Sequence, residues 1–291
     1  MKPPLFDYLK PESVEDAVAA RAGEDDSVFL AGGQSLIPTL NFRIANPVLL
    51  IDIGGIPTLK EISVSDTEII IGAMVRQRQV EKDDAVHRAN PLLREVLGNV
   101  AHSVVRNRGT VVGSIAHADA AAELPAMLLA TSGSVEVQSP SSARRIEAHN
   151  IFQFHLTTSL AADEMITAVR VPVLPPKTGW SFQEFARRHG DYALAGICAL
   201  VTLDDGGRCA SACLAACGIA STVVRLEAAE TEITGSALDE DAIIRAAKAA
   251  RDAVTAADDS QASTTYRRHL VDTLTKRTLV EAKGRAERCV S

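Results

Sequence analysis

The chain predicts an α+β protein of two unequal domains, on three observations. Short apolar runs alternate with helical patterns up to residue 171, a dense breaker cluster occupies 172–179, and the remainder reads as an antiparallel meander followed by two helices. The expected domains are therefore 1–176, itself split into lobes of about 1–55 and 56–176, and 177–291.

The first lobe opens with Ser13 and Asp16, which supply helix-entry chemistry for a helix over 13–22, and residues 27–31 then read as a strand ending at Gly32-Gly33. A short helix over 34–41 and a strand over 48–52 follow. In the second lobe 68–72 is a strand with a glycine stop. The continuous apolar runs at 48–52 and 68–72 suit strands covered on both faces. Residues 89–100 carry Leu92, Leu93, Val96, Leu97 and Val100 on one helical face, and Pro125 opens a second helix over 126–130. Residues 135–138 and 164–171 read as strands. Beyond the breaker cluster, 181–187, 195–203 and 208–219 form the meander, with a turn at 204–207, and helices over 240–256 and 263–286 close the chain.

At 291 residues, with 46% apolar and 23% charged residues, the composition is that of a globular protein with ordinary cores. A net charge of -7 without a basic stripe argues against a nucleic-acid surface or an anionic membrane as main partner. No segment approaches the roughly 20 apolar residues of a membrane span. The start at 1–7 lacks the apolar run of a signal peptide, so a cytoplasmic location is expected. Five cysteines, Cys198, Cys209, Cys213, Cys217 and Cys289, do not form a secreted disulfide pattern and are expected as reduced thiols.

Two glycine turns carry the functional signal. Ala31-Gly32-Gly33-Gln34-Ser35 follows the apolar run 28–30, and Thr110-Val111-Val112-Gly113-Ser114 follows 103–105, both read as strands; each turn ends in a hydroxyl residue. One such pair is an ordinary tight turn, but two can grip a diphosphate with outward-facing N–H groups. Neither matches the Gly-x-Gly-x-x-Gly or Walker pattern, which disfavours a Rossmann domain or a nucleoside triphosphatase. His117, Asp119 and Glu123 are metal-ligand types, helix caps for the helix at Pro125, or acceptors for ribose hydroxyls. Cys209, Cys213 and Cys217 are spaced four apart along a strand, on one face, and read as small buried hydrophobes rather than cluster ligands. Tyr192, in the turn after His189, is a surface tyrosine or a stacking group.

Ala31–Ser35, the stretch from Val105 through Gly109-Thr110 and Gly113-Ser114 to His117 and Asp119, and Arg187-Arg188-His189-Gly190-Asp191-Tyr192-Ala193 together resemble the FAD-binding medium subunit of the molybdenum hydroxylases, over essentially the entire chain. The resemblance implies a vanillyl-alcohol-oxidase-like, PCMH-type FAD-binding domain of two lobes and a smaller C-terminal domain of the CO dehydrogenase flavoprotein type. It implies that Phe29, Leu30, Ala31, Gly32, Gly33, Gln34, Ser35 and Leu36, with Thr110, Gly113 and Ser114, hold the FAD pyrophosphate. It also places Val100 near the adenine, His117 and Asp119 by the second turn, and Glu123 at ribose hydroxyls. Ile166 would set its backbone against the isoalloxazine edge, with Gln183 and Tyr192 closing over the flavin.

Two positions depart from the family. Val112 stands where glycine is usual; a β-branched residue resists positive φ, so either the backbone there is ordinary β or the turn meets the phosphates differently. Gln183 stands where lysine is common, which removes a positive charge near the flavin. The implied function is an FAD-carrying electron-transfer subunit of a heterotrimeric enzyme, with no catalytic acid or base and no metal of its own. A molybdopterin centre would lie on a large subunit and two [2Fe-2S] clusters on a small one, within a dimer of heterotrimers serving an external electron acceptor. The competing classes are a free-standing FAD oxidoreductase with its own substrate site and a flavin-free scaffold.

Overall fold

The computed structural model describes residues 2–288; Cys289 lies outside them. The first lobe contains β1 (Asp7–Leu9), α1 (Val14–Gly23), β2 (Ser27–Leu30), α2 (Leu36–Asn41) and β3 (Leu49–Asp52), with the strands parallel in the order β1-β3-β2. Ser13 caps α1 by accepting from the Asp16 N–H at 3.1 Å, and Ala17 and Val18 turn the helix's apolar side inward. β3 is central, which buries Leu50 and Ile51.

The second lobe is built on β4 (Ile62–Val64), β5 (Glu68–Gly72), β6 (Ser134–Gln138), β7 (Ala143–Glu147) and β10 (Met165–Pro172), antiparallel in the order β4-β5-β10-β6-β7, with a small hairpin of β8 (Phe152–Phe154) and β9 (Thr157–Thr158). Between β5 and β6 run α3 (Gln77–Lys82), α4 (Asp84–Ala89), α5 (Leu92–Asn99), α6 (Ser103–Arg106), α7 (Val111–His117) and α8 (Glu123–Ala130); α9 (Ala148–Ile151) follows β7. The helix expected over 89–100 is α5, starting later at Leu92; α4 ends at Ala89, because Pro91 forces Asn90 out of helical geometry.

Three expectations fail here. Residues 103–105, read as a strand, form α6, because buried Arg106 donates to the Val100 and Ala101 carbonyls at 2.8 and 2.9 Å and pairs with Glu81, closing a tight helical turn. Residues 110–114 are not an outward loop: Thr110 caps α7, and Val112, Gly113 and Ser114 are helical. Val112 therefore takes neither β backbone nor positive φ, and its side chain, 3% exposed, joins the core.

The C-terminal sheet is β11 (Thr178–Phe185), β12 (Ala195–Leu203), β13 (Cys209–Cys217) and β14 (Val224–Arg225), antiparallel in that order, covered by α10 (Glu227–Ile233), α11 (Glu240–Asp252) and α12 (Thr264–Arg288). β11 starts inside the breaker cluster. Gly179 serves packing there, since a Cβ would lie 1.8 Å from the Ala282 carbonyl of α12. The three cysteines of β13 do not share a face. The register shifts at Ala210, so Cys209 joins the core under the helices while Cys213 and Cys217 pack toward the second lobe. All four described cysteines are free thiols.

The C-terminal sheet rests on α5 and α8. Glu95 of α5 accepts from the Phe182 N–H at 2.7 Å and pairs with Arg285 of α12, whose guanidinium also bonds the Trp180 carbonyl and stacks 5.1 Å from its ring centroid. No helix among the described residues is long and apolar enough to cross a membrane.

Candidate functional site

The first glycine segment is shaped by what it touches. Gly33 has φ +73°, which favours glycine, and a Cβ at Gly32 would lie 2.6 Å from the Arg108 carbonyl oxygen and 2.8 Å from the Gly109 Cα. The two segments, distant in sequence, are therefore in backbone contact. On the other side of the seam the Thr110 hydroxyl accepts from the Gly113 N–H at 2.9 Å.

A cavity of about 540 Å³ runs along this seam. Phe29, Ala31, Gly32, Gly33, Gln34, Ser35 and Leu36 of the first segment line it together with Thr110, Gly113, Ser114, His117 and Glu123, the buried Val100 and Ile166 and the exposed Tyr192. Ile166 lies beside a bulge at Thr167 in the β10–β6 pairing. Tyr192 arrives on the β11–β12 connection, whose end is held by Arg267 donating to the Leu194 carbonyl at 2.6 Å.

Three expected residues are not on the wall. Leu30 packs beneath Gly33, its Cδ1 3.2 Å from where a Cβ would be. Asp119 accepts from the Ala121 N–H at 2.8 Å, turning the chain ahead of α8 rather than capping it, and its charge lies close enough to raise the Tyr192 phenol. Gln183 faces away: its Nε2 donates to Glu281 Oε2 of α12 at 2.9 Å, because alternation along β11 points it to the helix layer.

The residues 4–174 match the family described as the FAD binding domain in molybdopterin dehydrogenase, and 180–282 match the CO dehydrogenase flavoprotein C-terminal domain. The chain belongs to the FAD-binding medium subunits of the molybdenum hydroxylases. It is 42% identical to the 6-hydroxypseudooxynicotine dehydrogenase complex subunit alpha of Paenarthrobacter nicotinovorans, covering 98% of this chain and 97% of the relative. It is 33% identical to the carbon monoxide dehydrogenase medium chain of Afipia carboxidovorans, covering 99% and 100%. Among solved structures it is similar to carbon monoxide dehydrogenase from Hydrogenophaga pseudoflava, with TM-score 0.95 and 34% identity over 98% of this chain and 99% of the other. Quinoline 2-oxidoreductase from Pseudomonas putida 86 gives 0.93 and 35% over the same shares.

Among the described residues the cavity of this medium subunit carries no side-chain cation to meet a dianionic diphosphate, and Glu123, Glu164 and Asp191 line it as well, so negative charge would be met by backbone N–H dipoles. Glu123, at the first turn of α8, is 5% exposed; burial, with the Asp119 charge nearby, pushes its carboxyl up to about 7. Glu184, on the neighbouring β11, is pushed up to about 8 by burial and by Glu123. His117 is held below its ordinary value by burial, which favours its neutral form. Burial of the hydroxyl, with the charges of Asp119 and Glu123, raises the Tyr192 phenol to about 12, although more than half of the residue's surface is exposed.

Sequence reasoning missed Gln77, Ala101, Val105, Gly109 and Met165 on the wall. Val105 and Gly109 stand in the same run as Thr110, and Gln77, Ala101 and Met165 carry no local pattern.

Proposed function

We propose that this medium subunit holds one FAD in the seam cavity and relays electrons, taking them from [2Fe-2S] clusters of a small subunit and delivering them to an external acceptor. The bound flavin would supply the change between two-electron and one-electron chemistry. The chain's own residues bind and orient. The backbone of 29–36 and Thr110, Gly113 and Ser114 would cradle the diphosphate, Val100 would flank the adenine and Glu123 would accept from ribose hydroxyls. Ile166 would meet the isoalloxazine edge with Tyr192 over it, and His117 would stand neutral by the second segment. Leu30 and Asp119 would act one layer back, beneath Gly33 and in the turn ahead of α8, and Gln183, engaged by Glu281, is given no flavin contact.

The observation that carries this reading is the backbone contact of the two glycine segments along a cavity free of side-chain cations. We assign the organic substrate to a molybdopterin centre on a large subunit, the assembly to a cytoplasmic dimer of heterotrimers, and the boundary between the two domains of this chain to residue 176. The test is to purify the tagged chain gently from its host. About one FAD per chain, with a large molybdenum-bearing and a small iron-bearing partner, is expected. A colourless chain that takes up no added FAD overturns the cofactor assignment, and a lone chain that oxidises an organic donor overturns the relay.

A further inference from the structure

Glu184 does not line the cavity but stands near Glu123, which does. Alternation along β11 puts Phe182 and Glu184 on the face opposite Gln183, toward the second lobe. In the sheet Glu184 pairs with Gly196, which pairs in turn with Cys217. A Cβ at Gly196 would lie 3.3 Å from the Glu184 Cβ and 2.6 Å from the Cys217 Sγ, so the missing side chain leaves room for both. Gly218, directly after Cys217, donates its N–H to the Ala120 carbonyl at 2.8 Å and fastens this row to the turn that leads into α8 and Glu123.

No cation acts on the two carboxyls. Burial, and after it the charge of Asp119, raises Glu123; burial, and after it the charge of Glu123, raises Glu184. The other groups around them stay neutral near pH 7: burial holds the Cys198 and Cys217 thiols well above their ordinary value, and the Tyr192 phenol is at about 12. Two carboxyls that share a dry seam do not both ionise near neutral pH. The donors decide which one keeps the proton. Glu123 accepts from its own backbone N–H in the first turn of α8, which favours its anion, whereas Glu184 Oε2 is buried without a partner. A carboxylate only accepts hydrogen bonds, and a buried one with neither donor nor cation is far costlier than the neutral acid.

We propose that Glu184 is held as the neutral acid of this pair, which leaves Glu123 as the member that carries charge at the cavity wall, and that ionisation of Glu184 on the alkaline side weakens the binding of an anionic cofactor there. This positioning role rests on the FAD reading above and needs no assignment of which part of the cofactor lies nearest. The test is a set of fluorescence titrations of the full chain freed of FAD, from pH 6 to pH 9.5, with melting curves on the same samples. One added negative charge predicts that the parent binds FAD about five-fold more weakly at pH 9.5 than at pH 8. Glu184→Gln, which fixes the neutral state, should keep the rise from pH 6 to pH 8 and lose the alkaline fall. It should melt with the parent at pH 6 and above the parent at pH 9.5, because a carboxyl raised by folding loses its stabilising contribution as the pH passes its folded value. A parent without the alkaline fall overturns the proposal, as does a fall that persists in Glu184→Gln. So does a Glu184→Gln chain that melts well below the parent at pH 6, which would mark a required anion. A parent that takes up no FAD at any pH fails the cofactor reading itself; the melting curves still decide the state of Glu184, and a Glu184→Gln chain no more stable than the parent at pH 9.5 overturns it.

Discussion

Gly32 and Glu123 show how single residues set the cavity's chemistry. A methyl group at Gly32 would meet backbone atoms of Arg108 and Gly109, which cannot swing away as a side chain could. Gly32→Ala should therefore cost about 1–3 kcal/mol of stability, as overpacking does, and should lower FAD affinity in a fluorescence titration. Unchanged affinity would detach this contact from cofactor binding. Glu123 links the site to pH. Burial lifts its carboxyl from 4.5 to about 7, so between those values the folded chain keeps a proton that the unfolded chain has released. That contribution to stability is complete below 4.5 and is lost as the pH rises through 7, which melting curves of the FAD-free chain will register. A ribose hydroxyl donating to Glu123 favours the ionised form, so FAD should bind about ten-fold more tightly at pH 8 than at pH 6. Glu123→Gln should flatten that profile; a profile already flat in the parent would remove the ribose contact.

At the scale of elements, local propensity decided most helices and strands and failed where tertiary bonds outbid it. The nine residues of β12 from Ala195 to Leu203 are nearly all buried and legible as a strand from composition alone. The valines of 103–105 have the same preference, yet the hydrogen bonds of buried Arg106 fold them into α6. β1 was illegible for the opposite reason: its three residues are exposed, and the parallel pairing with β3 that defines it leaves no local pattern. The bulge that separates Cys209 from Cys213 and Cys217 likewise depends on the partner strand. Gly98, on α5, has nothing within 4 Å of a built Cβ and no positive φ. Gly98→Ala should therefore stabilise the protein by about 0.5–1 kcal/mol through helix propensity, measured by chemical denaturation with FAD affinity unchanged.

For the whole molecule, the seam cavity is walled by both lobes of the FAD-binding domain and closed by a loop of the C-terminal sheet, so the site depends on how that sheet is seated. Arg285 joins Glu95 of α5, Glu281 of its own helix and the Trp180 carbonyl in one partly buried cluster. Arg285→Ala leaves the Glu95 and Glu281 carboxylates without their cation and should cost about 2 kcal/mol, below the range for a fully buried pair because solvent reaches this one. Denaturation monitored by Trp180 fluorescence, the single tryptophan of the chain, reads that loss directly.

The sequence by itself determined the α+β class, the glycine segments, the family and about half of the residues that line the cavity, because turns, caps and motif order are properties of neighbouring residues. Only the tertiary structure decided that Val112 is helical, that Gln183 turns to α12, and that Asp119 turns the chain ahead of α8 instead of lining the cavity. Each of those outcomes is set by packing and hydrogen bonding between segments far apart in the chain, and no local pattern of residues encodes such a partner.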